Sequence, residues 1–314
     1  LHLYRKSNNI EFLKKIYPKL LKWHKYLYNE RDLYDEGLIY IRHPWESGMD
    51  NSPNWDIALN RIQIDEFKYS KYRTDDKKVN SLERPDDITY ERYLKLIDLF
   101  KECKFNEKLI FKKSEYIIQD VLFNTLLIKS NNALLEISKI LNYDNDKNLL
   151  NYWINKSKTN FEKKFFKNDF YYNFDLKTNT YIECKTISGL SSIIICDNYK
   201  IIINSLKSNF LDIKNSNYNI SSLDRYHKKF NPINYWRGPM WTNLTWLIIS
   251  GLYNHKENDL ADKIKLNCIN KIKDVGYYEY FDSDDISNIN SGCGDNLFSW
   301  TASMYICMIS NMKM

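Results

Sequence analysis

Three carboxylates, two tryptophans, two prolines and a glycine fall within fourteen residues, His43-Pro44-Trp45-Glu46-Ser47-Gly48-Met49-Asp50-Asn51-Ser52-Pro53-Asn54-Trp55-Asp56. A carboxyl group can give or take a proton, and a flat apolar ring can stack on the C–H face of a sugar. The prolines and the glycine oppose a helix here, so the stretch reads as a rigid loop. Acids on an aromatic-walled loop point to a carbohydrate site. By residue type Glu46, Asp50 and Asp56 all qualify as a proton donor. Glu46 is expected to organise the loop or bond a sugar hydroxyl. Asp56 follows Trp55 at a position where a helix can start, and capping is expected of it.

Two further clusters share this chemistry. Tyr235-Trp236-Arg237-Gly238-Pro239-Met240-Trp241 precedes a strongly apolar helical stretch. Its aromatic residues can wall a pocket, and Arg237 can bridge hydroxyls or hold a carboxylate. Gly238 lets backbone approach a ligand closely, and Pro239 suits a first helical position. In the third cluster Glu279 stands between Tyr277, Tyr278, Tyr280 and Phe281. A carboxylate in that setting has a raised pKa or a dedicated hydrogen-bond partner, unless strand alternation turns it to solvent. Trp300 begins the final helical stretch and can cover a pocket. Six of the eight Trp lie in 43–56, in 235–246 or at Trp300, in a chain otherwise crowded with Asn, Lys, Ile and Tyr, which marks these regions as constrained.

The elements that position these clusters are helical. Apolar residues recur at 3.6-type spacing over 9–31, with Pro18 inside and His24 on the packed face. Further helices are expected over 88–103, capped by Asp86 or Asp87, over 113–142 as one helix or two, and over 145–166. A hairpin is expected at 170–184 around Lys177-Thr178-Asn179. Helices over 197–210, 240–254, 257–274 and 298–312 complete eight or nine. Residues 57–87 are polar and irregular, and the mixed charges of 71–78 suit a solvated face. No alternating βαβ pattern and no glycine-rich phosphate loop occurs, so the class is mainly α with hairpins in the connections.

The bulk numbers exclude several functions. Net charge is +6, from 46 basic and 40 acidic residues dispersed along 314, which leaves no nucleic-acid footprint. No apolar run approaches the ~20 residues of a membrane span. Six scattered cysteines and five histidines show no metal-ligand spacing, so neither metal nor cofactor is expected, and a reduced, cytoplasmic protein is the expectation. Nothing indicates an oligomeric state.

The three clusters, in this order and at these separations, resemble glycoside hydrolase family 63, nearest to its small members, the mannosylglycerate and glucosylglycerate hydrolases. Glu83-Arg84-Pro85 before the helix with Tyr93 adds to the likeness, which runs from about residue 35 to 312. The resemblance implies an (α/α)6 barrel with its site in loops at one end, and inverting hydrolysis of a small α-glucoside or α-mannoside. It implies Asp50 as general acid and Glu279 as general base. It places Trp45, Tyr235, Trp236, Gly238, Trp241 and Trp300 around the sugar, beside Glu46, Asn51 and Arg237 from the residue reading. A single domain over 1–314 is expected, about three quarters of the family domain and incomplete at its N-terminus. Leu13, Ile16, Leu20, Met304, Ile306 and Met308 are then expected to show uncovered apolar surface. A processing α-glucosidase and an inactive sugar-binding relic are the competing functions.

Overall fold

A computed structural model of the chain describes residues 1–74, 79, 83–287 and 291–311. Part of the 71–78 charge run and Met312 of the last expected helix lie outside the described residues. Among those described, twelve helices alternate with short strands and turns.

Helix α1 (His2–Ser7) leads into α2 (Ile10–Glu30). Asn9 starts α2 by accepting the Phe12 amide at 2.9 Å, which satisfies one of the orphan N–H groups of a helix start. Leu13, Tyr17, Leu21, His24 and Leu27 form its buried stripe, and Pro18 sits on the exposed side of an uninterrupted helix. Helix α3 (Asp56–Asn60) is followed by α4 (Asp87–Glu102), capped by Asp86 through the Thr89 amide. Next come α5 (Glu107–Lys113), α6 (Val121–Leu141) and α7 (Asp144–Phe165). Asn142, at φ 58°, turns α6 into α7, and the two pack along their lengths with α2 against α6.

Short α8 (Ile187–Ser191) and α9 (Tyr199–Ser205) precede a second hairpin, α10 (Thr242–Asn254) and α11 (Asn258–Val275). Helix α12 (Ser299–Ile309) packs on both members of that hairpin, and α8 links α6 to α10. One apolar core runs from Leu38 through Trp55, Phe161 and Ile248 to Met308, and a smaller one seats α2 on α6 and α7.

Strands tie the loops together. Tyr40–Ile41 (β1), Ile118–Gln119 (β2), Asn173–Asp175 (β5) and Thr180–Ile182 (β6) form an antiparallel sheet in the order β1-β2-β5-β6. The expected hairpin is β5–β6, with Phe174 opposite Tyr181 and Asn179 at positive φ in the turn. Phe166–Lys167 (β3) pairs with Phe170–Tyr171 (β4), and Tyr280–Phe281 (β7) pairs with Gly292–Cys293 (β8).

Several boundaries differ from the sequence reading. Ile117 belongs to no helix: Ile118 and Gln119 join the sheet, and Asp120 caps α6 through the Phe123 amide at 3.0 Å. Pro239 is not a first helical residue, because Met240 exchanges backbone hydrogen bonds with Phe281 at 2.8 and 3.0 Å and α10 starts only at Thr242. The 197–210 segment changes from α to a π turn at Leu206–Phe210. Helices α3, α5 and α8 are too short to leave a readable period. Of the apolar residues expected to stand uncovered, Leu20 and Ile306 are exposed, Ile16 and Met304 half-buried, and Leu13 and Met308 buried.

Candidate active site

The 43–56 loop is held from both sides. His43 is buried; its Nε2 donates to the Tyr93 carbonyl at 3.0 Å and its Nδ1 accepts the Trp45 amide at 3.1 Å. A single helical turn over Pro44–Ser47 follows, closed by Gly48 at φ 71°, a conformation that favours glycine. Beyond it, the Trp55 indole donates to the Met49 carbonyl at 2.7 Å from a buried position against Tyr116. The Tyr93 hydroxyl donates to the Asp50 carbonyl. These anchors fix the backbone on either side of Asp50 and leave Trp45 47 % exposed.

Glu46 does not reach the site. Arg31 grips both its oxygens at 3.1 and 2.9 Å, and the Arg42 amide donates to it at 2.8 Å. Burial opposes its charge, but the Arg31 hydrogen bonds prevail and hold its carboxyl below the ordinary value. Arg31 and Arg42 also meet Glu107 at 2.9 and 2.8 Å, which staples the loop to α2 and α5. Glu46 thus organises the loop, one of the two roles expected of it. Asp56 does not cap α3, whose first residue it is and whose start has no side-chain cap. It is taken by Arg237 at 2.7 and 3.0 Å and by Lys229. Arg237 also donates to Asn51 at 3.3 Å, and the carboxylate it holds is Asp56 of its own chain.

Asp50 and Glu279 converge. With Trp45, Tyr90, Tyr93, Tyr235 and Arg84 they line one cavity of about 340 Å³, within the roughly 300–1,000 Å³ of small-ligand sites. Glu279 is buried and has a dedicated partner: Arg84 donates to its two oxygens at 3.2 and 2.7 Å. The Asp295 amide adds a bond at 3.3 Å. The Arg84 guanidinium lies 4.6 Å over the Tyr235 ring. Burial, then the charge of Asp50, pushes the Tyr235 and Tyr93 hydroxyls well up, so both remain proton donors across the working pH range. The charge of Glu279 adds to that of Asp50 at Tyr235.

Other expected wall residues stand behind the cavity. Trp236 and Trp241 are each 2 % exposed and stack on one another at 3.7 Å, and Trp241 stacks on Tyr280 at 4.9 Å. They are a rigid backing for Tyr235, which meets Trp241 edge-on at 5.4 Å. A Cβ on Gly238 would lie 2.1 Å from the Asn231 carbonyl oxygen, so the glycine admits the chain's own backbone and not a ligand. Trp300 borders a different, apolar cavity of about 410 Å³ with Trp236, Trp246 and Met304, and Trp45 stands between the two cavities.

Arg84, Tyr90 and Tyr93 were not singled out as site residues. The available signals were an arginine fixed before Pro85 at a capped helix start, and two tyrosines at i, i+3 on one face of α4. Among the described residues no cluster of three metal-ligating side chains occurs, and no helix is long and apolar enough to cross a membrane.

A helical array whose loops hold two carboxylates in an aromatic cavity has the architecture of an all-helical glycoside hydrolase. The family model described as the mannosylglycerate hydrolase MGH1-like glycoside hydrolase domain matches residues 1–301, and the chain belongs to that family. The mannosylglycerate hydrolase of Rubrobacter radiotolerans is 31% identical over 95% of this chain and 68% of its own length. The glucosylglycerate hydrolase of Mycolicibacterium hassiacum is 25% identical over 93% and 66%. The family 63 mannosylglycerate hydrolase of Thermus thermophilus, solved with Tris, superposes with a TM-score of 0.89 at 30% identity, over 99% of this chain and 74% of that one. The same enzyme has been solved with Tris and D-glycerate, with a TM-score of 0.87. The fold is therefore the (α/α)6 toroid of family 63, over roughly two thirds to three quarters of the relatives' length.

His43 gives the loop a pH limit. Burial pushes its imidazole from the ordinary 6.5 down to about 4. A depressed histidine contributes stability that is present above its unfolded pKa and is lost as pH falls through the folded one. Urea unfolding is expected to show about 3 kcal/mol less stability at pH 4 than at pH 7 from this group. His43→Gln should flatten that part of the profile.

Proposed function

We propose that this chain hydrolyses a small α-mannoside or α-glucoside of an acidic aglycone such as glycerate, with inversion at the anomeric carbon. The observation that carries the reading is the shared cavity of Asp50 and Glu279. Glu46 and Asp56, the rivals of Asp50 by residue type, are instead bound in arginine pairs outside it. Asp50 donates a proton to the glycosidic oxygen as the C–O bond breaks. Glu279 takes a proton from a water attacking the opposite face of the sugar. An inverting pair needs about 6.5–9.5 Å between carboxyls to admit that water.

Trp45, Tyr93 and Tyr235 give the cavity an aromatic wall, which suits one sugar ring with its polar edge free to meet charged groups. Arg84 holds Glu279 in place by both oxygens. The names of the relatives support mannose or glucose with glycerate as the substrate class.

Stereochemistry tests the mechanism. Proton NMR of the fresh product from an α-mannosyl or α-glucosyl glycerate should show the β-anomer first, followed by mutarotation. Initial release of the α-anomer would mean retention and would remove the water-activating role of Glu279.

A further inference from the structure

A wider cavity of about 730 Å³ adjoins the one that holds Asp50 and Glu279, and Arg84 and Pro85 border both. A ligand reaching from one to the other passes Arg84. Five cationic side chains, Arg84, Arg92, Lys228, Lys229 and Arg237, face two anionic ones, Asp56 and Asp86. The lining charge is therefore 5 − 2, or +3.

The partners of these groups show which charges are already answered. Arg237 and Lys229 share Asp56, and Arg84 is paired with Glu279. Asp86 accepts the Thr89 amide at the start of α4. Arg92 donates to the Ile62 carbonyl at 3.3 Å and to Asn60 at 2.7 Å, both neutral acceptors. Lys228 is exposed and makes no ion pair among the described residues. Two cations of the wall thus lack a carboxylate among the described residues, in a recess that concentrates their field.

Volume leads the same way. A three-carbon acid fills only a small part of about 730 Å³, and its one carboxylate can answer one cation beside the glycosidic bond. We propose that this cleft receives the far end of the aglycone, and that the chain prefers α-glycosides whose acidic aglycone carries a second anionic group, a phosphate monoester on the hydroxyl remote from the sugar. Arginine and lysine together suit a phosphate: one supplies a planar fork of donors, the other a mobile point charge. The proposal rests on the reading of the adjoining cavity as a glycosidase site. It adds a subsite in which Arg92 and Lys228 set specificity without touching the reacting atoms.

Calorimetric titration of the chain with glyceric acid and with its phosphate monoester tests the cleft without requiring turnover. The ester is expected to bind at least about tenfold tighter at low salt, with the difference shrinking as salt screens the cleft. Lys228→Ala should weaken the ester by about fivefold, and Lys228→Glu by more, with glycerate affinity unchanged in both. Lys228 is exposed and holds no ion pair among the described residues, so these variants should fold as the parent does. Arg92→Gln should act in the same direction. Equal affinity for the two acids, or a preference that survives Lys228→Glu undiminished, overturns the proposal. Hydrolysis of the two corresponding α-mannosides is measured separately. A chain that binds the ester preferentially but cleaves neither glycoside would refute the glycosidase reading and leave the anion subsite standing.

Discussion

Glu279→Gln is expected to lower turnover of an α-mannosyl or α-glucosyl glycerate by about 10²–10⁴-fold, the usual worth of a positioned acid or base. The amide keeps the volume of the side chain, and its carbonyl oxygen can still accept from Arg84. It cannot take a proton from water. Loss should appear in kcat more than in KM, because proton removal strengthens only on the way to the transition state. Removing the charge leaves Arg84 facing a neutral group at a site where both side chains are nearly buried, 10% and 8% exposed. A stability loss of roughly 1–3 kcal/mol should accompany the loss of rate. Circular dichroism and urea unfolding would separate the two effects. Near-parental turnover in a folded Glu279→Gln chain would remove Glu279 from the chemistry.

Asp50→Asn has a different expected signature. An acid matters in proportion to how poorly the leaving group carries negative charge. A glycerate alkoxide is a poor leaving group, so the variant should again lose about 10²–10⁴-fold on the proposed type of substrate. An aryl α-glycoside with an acidic phenol departs without much protonation, and its loss should be far smaller. Glu279→Gln should depress both substrates alike, since water must be activated in either case. The two variants, each with two substrates, therefore assign acid and base independently. Equal losses for Asp50→Asn on both glycosides would argue that Asp50 positions the sugar and does not donate the proton. Asp50 lies on a backbone anchored by Tyr93 and Trp55 from neighbouring elements, so the substitution should leave the loop in place.

Local chemistry was legible in the residues alone. Apolar period, helped at α4 by a capping aspartate, gave α2, α4, α7 and α11 nearly to their ends, because those signals act within one or two turns of chain. The Lys-Thr-Asn hairpin was readable for the same reason. The three aromatic clusters stood out because Trp, Gly and Pro are sparse elsewhere, and the resemblance to family 63 singled out Asp50 and Glu279 within them. Tertiary structure decided which side of each cluster faces the cavity. Trp236, Trp241 and Tyr235 lie within seven residues, yet two are buried as backing and one is a wall, because Met240 pairs with Phe281 and turns the segment. Asp56 and Glu46 look as able as Asp50 to donate a proton until Arg237, Lys229 and Arg31 arrive from 181, 173 and 15 residues away. Arg84 meets Glu279 across 195 residues. An ion pair depends on separation in space, and sequence spacing fixes that only within an element; between elements it is set by how the helices pack.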